Sequence, residues 1–131
     1  MRLLFIGDIV GKPGRDIVCQ SIPGLVERHQ LDLIIANAEN AAGGSGLTPA
    51  IYRELIRAGV DGITLGDHVY RRKEIYSVLE NETNIVKPAN LPAESVGHDW
   101  AIVTARNGVR VAISCILGRL FMKPVDDQWK A

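Results

Sequence analysis

Three short apolar runs, each closing on a carboxylate, recur along this chain at intervals of about 30 residues, the span of a strand–helix–strand unit. Leu3-Leu4-Phe5-Ile6 runs into Gly7-Asp8, and Leu33-Ile34-Ile35-Ala36 runs into Asn37-Ala38-Glu39-Asn40. Gly62-Ile63-Thr64-Leu65 runs into Gly66-Asp67-His68. Continuous apolar runs bounded by turn residues read as strands buried on both faces, the pattern of a parallel sheet.

The connections read as helices. Val18, Ile22, Leu25, Val26 and His29 share one face at helical spacing between Arg15 and His29, with Pro23 expected to kink or restart the helix. Thr48-Pro49 is a helix start, Thr as N-cap and Pro at the first helical position, and Gly59 is a plausible stop. A third helix is expected over Arg72 to Leu79, followed by a short strand, Asn84-Ile85-Val86, that enters Lys87-Pro88-Ala89-Asn90. Trp100 to Ala105 and Val109 to Ser114 flank Arg106-Asn107-Gly108, and an Asn-Gly pair between β-rich runs signals a hairpin.

The expected fold is therefore α/β: βαβαβαβ with right-handed crossovers, then an antiparallel hairpin. At 131 residues the chain is the size of one domain. The segment from Gly118 to Ala131 lacks a clear period but holds Phe121, Met122 and Trp129, which a free tail would not carry.

Composition narrows the function. Fifteen basic side chains balance fifteen acidic ones, so there is no extended basic surface for nucleic acid. No apolar run reaches the length of a membrane span, and the N-terminal run is too short for a signal peptide. Cys19 and Cys115 stand far apart, without metal-ligand spacing, and read as reduced thiols of a cytosolic protein.

In sheets of this kind ligands bind beyond the carboxyl ends of the strands. Asp8, Glu39, Asn40, Asp67 and His68 all come from those ends. Three carboxylates in one crevice repel each other unless a cation compensates. Carboxylate oxygens with the Asn40 amide suit Mn²⁺, Mg²⁺ or Fe²⁺, and histidine ligands favour Mn, Fe or Zn. A carboxylate bridging two metals about 3.5–4 Å apart is the core of two-metal phosphate hydrolysis, with His68 placed to protonate a leaving oxygen. Against this, a lone Asp after a strand is often a cap, and Glu39 could pair with Arg15 or Arg71. His29 and His98 are assigned structural roles. Gly7 to Pro13 fails the phosphate-loop pattern: three residues rather than four separate its glycines, and Pro follows Lys12. Gly43-Gly44-Ser45-Gly46 lacks dinucleotide-loop spacing and reads as a flexible loop that lets backbone approach a ligand or metal.

Taken together, Gly7 to Arg15, Ala38-Glu39-Asn40-Ala41-Ala42-Gly43-Gly44, Thr64-Leu65-Gly66-Asp67-His68, Lys87-Pro88-Ala89-Asn90 and Gly118-Arg119-Leu120-Phe121-Met122 resemble one family. It is the bacterial YmdB-like metallophosphoesterases, a calcineurin-like group of 2′,3′-cyclic-nucleotide phosphodiesterases. The resemblance implies a cytoplasmic hydrolase with an α/β/β/α sandwich and two divalent metal ions (Fe, Mn, Mg or Zn). By that similarity Asp8 holds one metal, Glu39 bridges both, Asn40 lies in or near the ligand shell and Asp67 holds the second metal. His68 acts as acid or positioning group while a metal-activated water attacks phosphorus in a cyclic nucleotide or other phosphodiester.

Two departures accompany the resemblance. The family has Asn where this chain has Asp67, which adds a negative charge. Family members are about twice this length, and their remaining metal ligands are histidines of the later half, whereas the last histidine here is His98. The expectation is the N-terminal half of such a domain, lacking part of the ligand set, nearly inactive alone, and either self-associating or lacking its C-terminal half. The alternatives are a non-catalytic α/β assembly module, with Phe121, Met122 and Trp129 as contact candidates, and a nucleotide-binding module.

Overall fold

The computed structural model describes residues 1–122 and 124–131. β1 (Leu3–Ile6), β2 (Leu33–Asn37), β3 (Gly62–Thr64) and β4 (Ile85–Val86) form a parallel sheet in the order β1-β2-β3-β4. They are joined by α1 (Gly11–His29), α2 (Pro49–Ala58), and a 3₁₀ turn at Lys73–Ile75 that leads into α3 (Tyr76–Asn81). β5 (Trp100–Thr104) and β6 (Arg110–Ser114) make a separate antiparallel hairpin. The expected α/β class and element order are both present.

Strands laid down in sequence order by right-handed crossovers put every helix on one face of the sheet. Side chains alternate between faces, so β2 serves two cores. Ile34 and Ala36 join Val18, Ile22, Leu55 and Leu79 beneath the helices. Leu33 and Ile35 join Val86, Ala101, Val103 and Ile113 beneath the hairpin. This double burial is why β2 reads as an unbroken apolar run. Gly62 lets the hairpin settle there: a Cβ would lie 2.9 Å from Ile35 Cδ1 and 3.0 Å from Ile113 Cδ1.

Two local expectations change. α1 begins at Gly11, four residues before the predicted Arg15, and passes through Pro23 as one helix rather than restarting. Lys12 and Pro13 belong to its first turn, where backbone N–H groups have no intrahelical partner and Pro loses nothing. The third helix divides into a 3₁₀ turn and a short α-helix. The hairpin turns where expected, over Arg106-Asn107-Gly108: Ala105 N–H donates to Val109 O, and Gly108 alone of the turn residues has positive φ, at 84°. α2 starts as predicted, with Thr48 Oγ1 accepting from the Ile51 N–H at 3.4 Å.

Candidate metal and phosphate site

Parallel pairing continues past the last residues of the strands. Ile9 N–H donates to Asn37 O, Ala38 N–H to Thr64 O, and Leu65 N–H to Val86 O, each at 3.1 Å. These bonds lock the register of the chain where it leaves the sheet. Asp8, Glu39 and Asp67 therefore emerge side by side.

One ligand atom each from Glu39, Asp67 and His68 lie within 4.8 Å of one another. Asp8 and Asn40 stand one hydrogen bond away. Asn40 Nδ2 donates to both Asp8 carboxylate oxygens at 3.0 and 2.9 Å, and its Oδ1 meets His68 Nδ1 at 2.5 Å. With the amide N turned to Asp8, Asn40 Oδ1 can only accept, so His68 Nδ1 carries the proton. In neutral His68 the other nitrogen, Nε2, is then free of hydrogen, 3.5 Å from Asp67 Oδ2.

Glu39 is held from three sides. Its Oε2 accepts from the His68 N–H at 3.1 Å, its own N–H donates to Asn37 Oδ1 at 3.3 Å, and its carbonyl accepts from the Gly46 N–H. Its carboxylate lies over Gly66, where a Cβ would come within 2.2 Å of an oxygen. Burial pushes the Glu39 carboxyl above its usual range, the His68 N–H opposes that, and the nearby Asp67 and Asp8 charges add to it. A half-buried carboxylate with two acidic neighbours is a set that a divalent cation would relieve. The donor set fits such a cation.

The Glu39–Gly46 segment is a tied turn rather than the expected flexible loop. Gly11 and Gly44 N–H both donate to Asn40 O at 3.0 Å. Arg15 Nη1 donates to Ala41 O at 2.7 Å, and Arg72 donates to Ala42 O and Ser45 O at 3.1 and 3.2 Å. Arg15 pairs with Glu54, at 3.3 Å, and not with Glu39. No ion pair among the described residues joins Glu39 to Arg15 or Arg71.

The supporting residues Asn37, Gly66 and Arg72 carry no sequence signal of their role, since each acts through a contact that only the fold creates. His29 and His98 stay outside the cluster; their carbonyls accept from Arg2 and from the Lys87 N–H. Cys19 and Cys115 are both free, and burial raises the thiol pKa of each, Cys115 to about 11, so neither is a ready nucleophile. No helix among the described residues is long and apolar enough to cross a membrane.

Residues 4–131 match the family described as YmdB-like protein. A 2′,3′-cyclic-nucleotide 2′-phosphodiesterase of Bacillus subtilis strain 168 is 45% identical over 127 residues, which is 97% of this chain and 48% of that protein. A crystal structure of a hypothetical protein from Thermus thermophilus superposes with a TM-score of 0.91 at 41% identity, over 99% of this chain and 50% of the other. A crystal structure of a novel phosphatase from Mycoplasma pneumoniae gives a TM-score of 0.88 at 31% identity, over 98% and 47%. The chain thus spans about half the length of the curated relatives it matches.

Proposed function

The chain belongs to the YmdB-like protein family, and from that premise we propose that it carries the N-terminal side of a metal-dependent phosphoesterase site, within a partial metallophosphoesterase domain. The observation that carries this reading is the Glu39–Asp67–His68 cluster at the carboxyl ends of β2 and β3. Its substrates are phosphoesters of the cyclic-nucleotide kind, by likeness to the Bacillus subtilis relative. In this reading the site takes two divalent ions, with Asp8, Glu39, Asn40 and Asp67 as the ligand residues this half contributes.

Such cations, when bound, polarise phosphoryl oxygens and make water a stronger nucleophile. The chain's own residues do the rest. Glu39, fixed over Gly66 and by the His68 N–H, presents its carboxylate to the cluster. Asn40 links Asp8 to His68 and sets the ring's tautomer. His68 Nε2, once protonated, is the group that gives a proton to the departing ester oxygen. Asp67 Oδ2 lies 3.5 Å from Nε2 and faces that nitrogen. Asp67 in place of the family's Asn adds negative charge, strengthening cation attraction and discouraging a free phosphate anion until cations are in place.

The ligand set on this half is incomplete, so cation affinity is weak and turnover is close to background. Titration with Mn²⁺ followed by calorimetry, alongside hydrolysis of bis-p-nitrophenyl phosphate, tests both statements. Binding that disappears in Glu39→Ala is expected. Absence of any Mn²⁺ binding defeats the site, and robust turnover abolished by Glu39→Ala defeats the claim of incompleteness.

A further inference from the structure

A cleft of about 470 Å³ opens beside the carboxylate cluster, with Asp67 on its rim. That volume lies in the range of about 300–1,000 Å³ typical of small-molecule sites. One wall carries Tyr70 and Arg71 from the segment after β3, and the other carries Leu117 and Val125 from the segment after β6.

Both walls are built. Tyr70 is fixed by its hydroxyl, which donates to Val96 O at 2.6 Å, and by stacking on Tyr76 with ring centroids 5.2 Å apart. The opposite wall hangs on Asn90, which is wholly buried. Asn90 Nδ2 donates to Leu117 O and Asp126 O at 2.9 and 3.2 Å, and its Oδ1 accepts from Leu117 N–H at 2.8 Å. Asp126 N–H donates back to Asn90 O at 2.9 Å. Leu117 is thus held directly and Val125 through its neighbour.

Among the described residues the lining is chiefly apolar, with Arg71 as its one cation. Arg71 takes part in none of the ion pairs among the described residues. Phe121 stands at the mouth with 98% of its surface exposed and a φ of 58°, an uncommon backbone state for a non-glycine residue. A bare aromatic ring at the lip of an apolar cleft, with an unpaired guanidinium and an acidic cluster alongside, matches a ligand that is aromatic at one end and anionic at the other.

We propose that this cleft is the subsite for the planar aromatic group of the phosphoester, with Arg71 facing the phosphate charge and Phe121 stacking over the ring. The assignment rests on the phosphoesterase reading for the identity of the anionic end. It makes the cleft, rather than the carboxylate cluster, the determinant of which esters bind.

The test compares phenyl phosphate with methyl phosphate, two esters with the same charged group. Each is titrated into the full chain with and without Mn²⁺, followed by backbone amide shifts in NMR. Phenyl phosphate is expected to bind about tenfold more tightly, with shifts at Tyr70, Arg71 and Leu117. Phe121→Ala, at an exposed side chain, and Leu117→Ser are each expected to narrow the preference to below about threefold, with Mn²⁺ affinity unchanged. Equal affinities, no binding of either ester, shifts confined to other amides, or a preference that survives both substitutions overturns the proposal. A chain that binds Mn²⁺ without preferring phenyl phosphate loses only the cleft assignment. One that prefers phenyl phosphate at these amides but fails to bind Mn²⁺ keeps the cleft and loses the metal-dependent reading.

Discussion

Gly66 determines where the Glu39 carboxylate can sit, because the smallest added side chain would occupy the same space. The obstructed atoms are the end of a flexible side chain, so Gly66→Ala displaces the carboxylate rather than the backbone. Its stability cost is expected to stay below about 1 kcal/mol, while Mn²⁺ affinity falls at least about tenfold, measured by thermal melting and calorimetry. Glu39 also gives the site a pH dependence. Its carboxyl is raised in the fold, chiefly by burial, so the folded state holds that proton more tightly than the unfolded chain. The stability this confers is fully present below the usual glutamate range and is lost as pH rises through the raised value. Metal-free Glu39→Gln is therefore expected to melt above the unmodified chain at pH 7. The gap closes toward about pH 4, where the carboxyl is protonated anyway. Excess Mn²⁺ at pH 7 reverses the order, because only the carboxylate gains from the cation. An unchanged order in Mn²⁺ sinks Glu39 as a ligand.

Among the elements, those dictated by periodicity and turn chemistry were legible and those created by distant contacts were not. β2 could be read because Leu33 to Ala36 is apolar on both faces, and α2 because Thr48-Pro49 and Gly59 mark its ends. The start of α1 was hidden because Gly11 is anchored by Asn40 O, which arrives from another strand. Likewise the strand-end carboxylates were legible as a set from their spacing, whereas their division was not. Glu39, Asp67 and His68 gather directly, and Asp8 joins only through Asn40. Lys87 opens the Lys87-Pro88-Ala89-Asn90 motif, which gives no hint of its burial. Its side chain is 1% exposed at the junction of β4 and the hairpin, with Asp99 as its ion-pair partner. Removing that partner strands a buried ammonium, so Asp99→Ala is expected to cost about 3 kcal/mol in urea denaturation. Lys87→Met removes the charge together with its need and is expected to cost less than about half as much. Equal losses would mean that the aliphatic stem of Lys87, not its charge, holds the junction.

At the scale of the whole molecule, the sheet and hairpin leave apolar faces bare. β1 is an edge strand, and it turns Leu3 and Phe5 outward beside the positions where β2 meets the hairpin, with Phe5 55% exposed. The outer face of the hairpin carries Trp100, 63% exposed, and Ile102. An open strand edge and a broad apolar surface both seek cover. The chain spans about half the length of the curated relatives it matches. Left uncovered, these faces are expected to give reversible self-association, increasing with concentration and measurable by multi-angle light scattering. Phe5→Lys places a charge on the edge strand at a side chain already half exposed, so it disturbs little of the core and blunts the edge. It is expected to raise the monomer fraction without lowering the melting temperature by more than about 2 °C. Trp100→Lys does the same for the outer face of the hairpin, and the two effects separate the edge from the face. A chain that remains monomeric near 100 µM with a cooperative melt, on the concentration scale where weak surface contacts normally register, would show that these faces are tolerated as they stand.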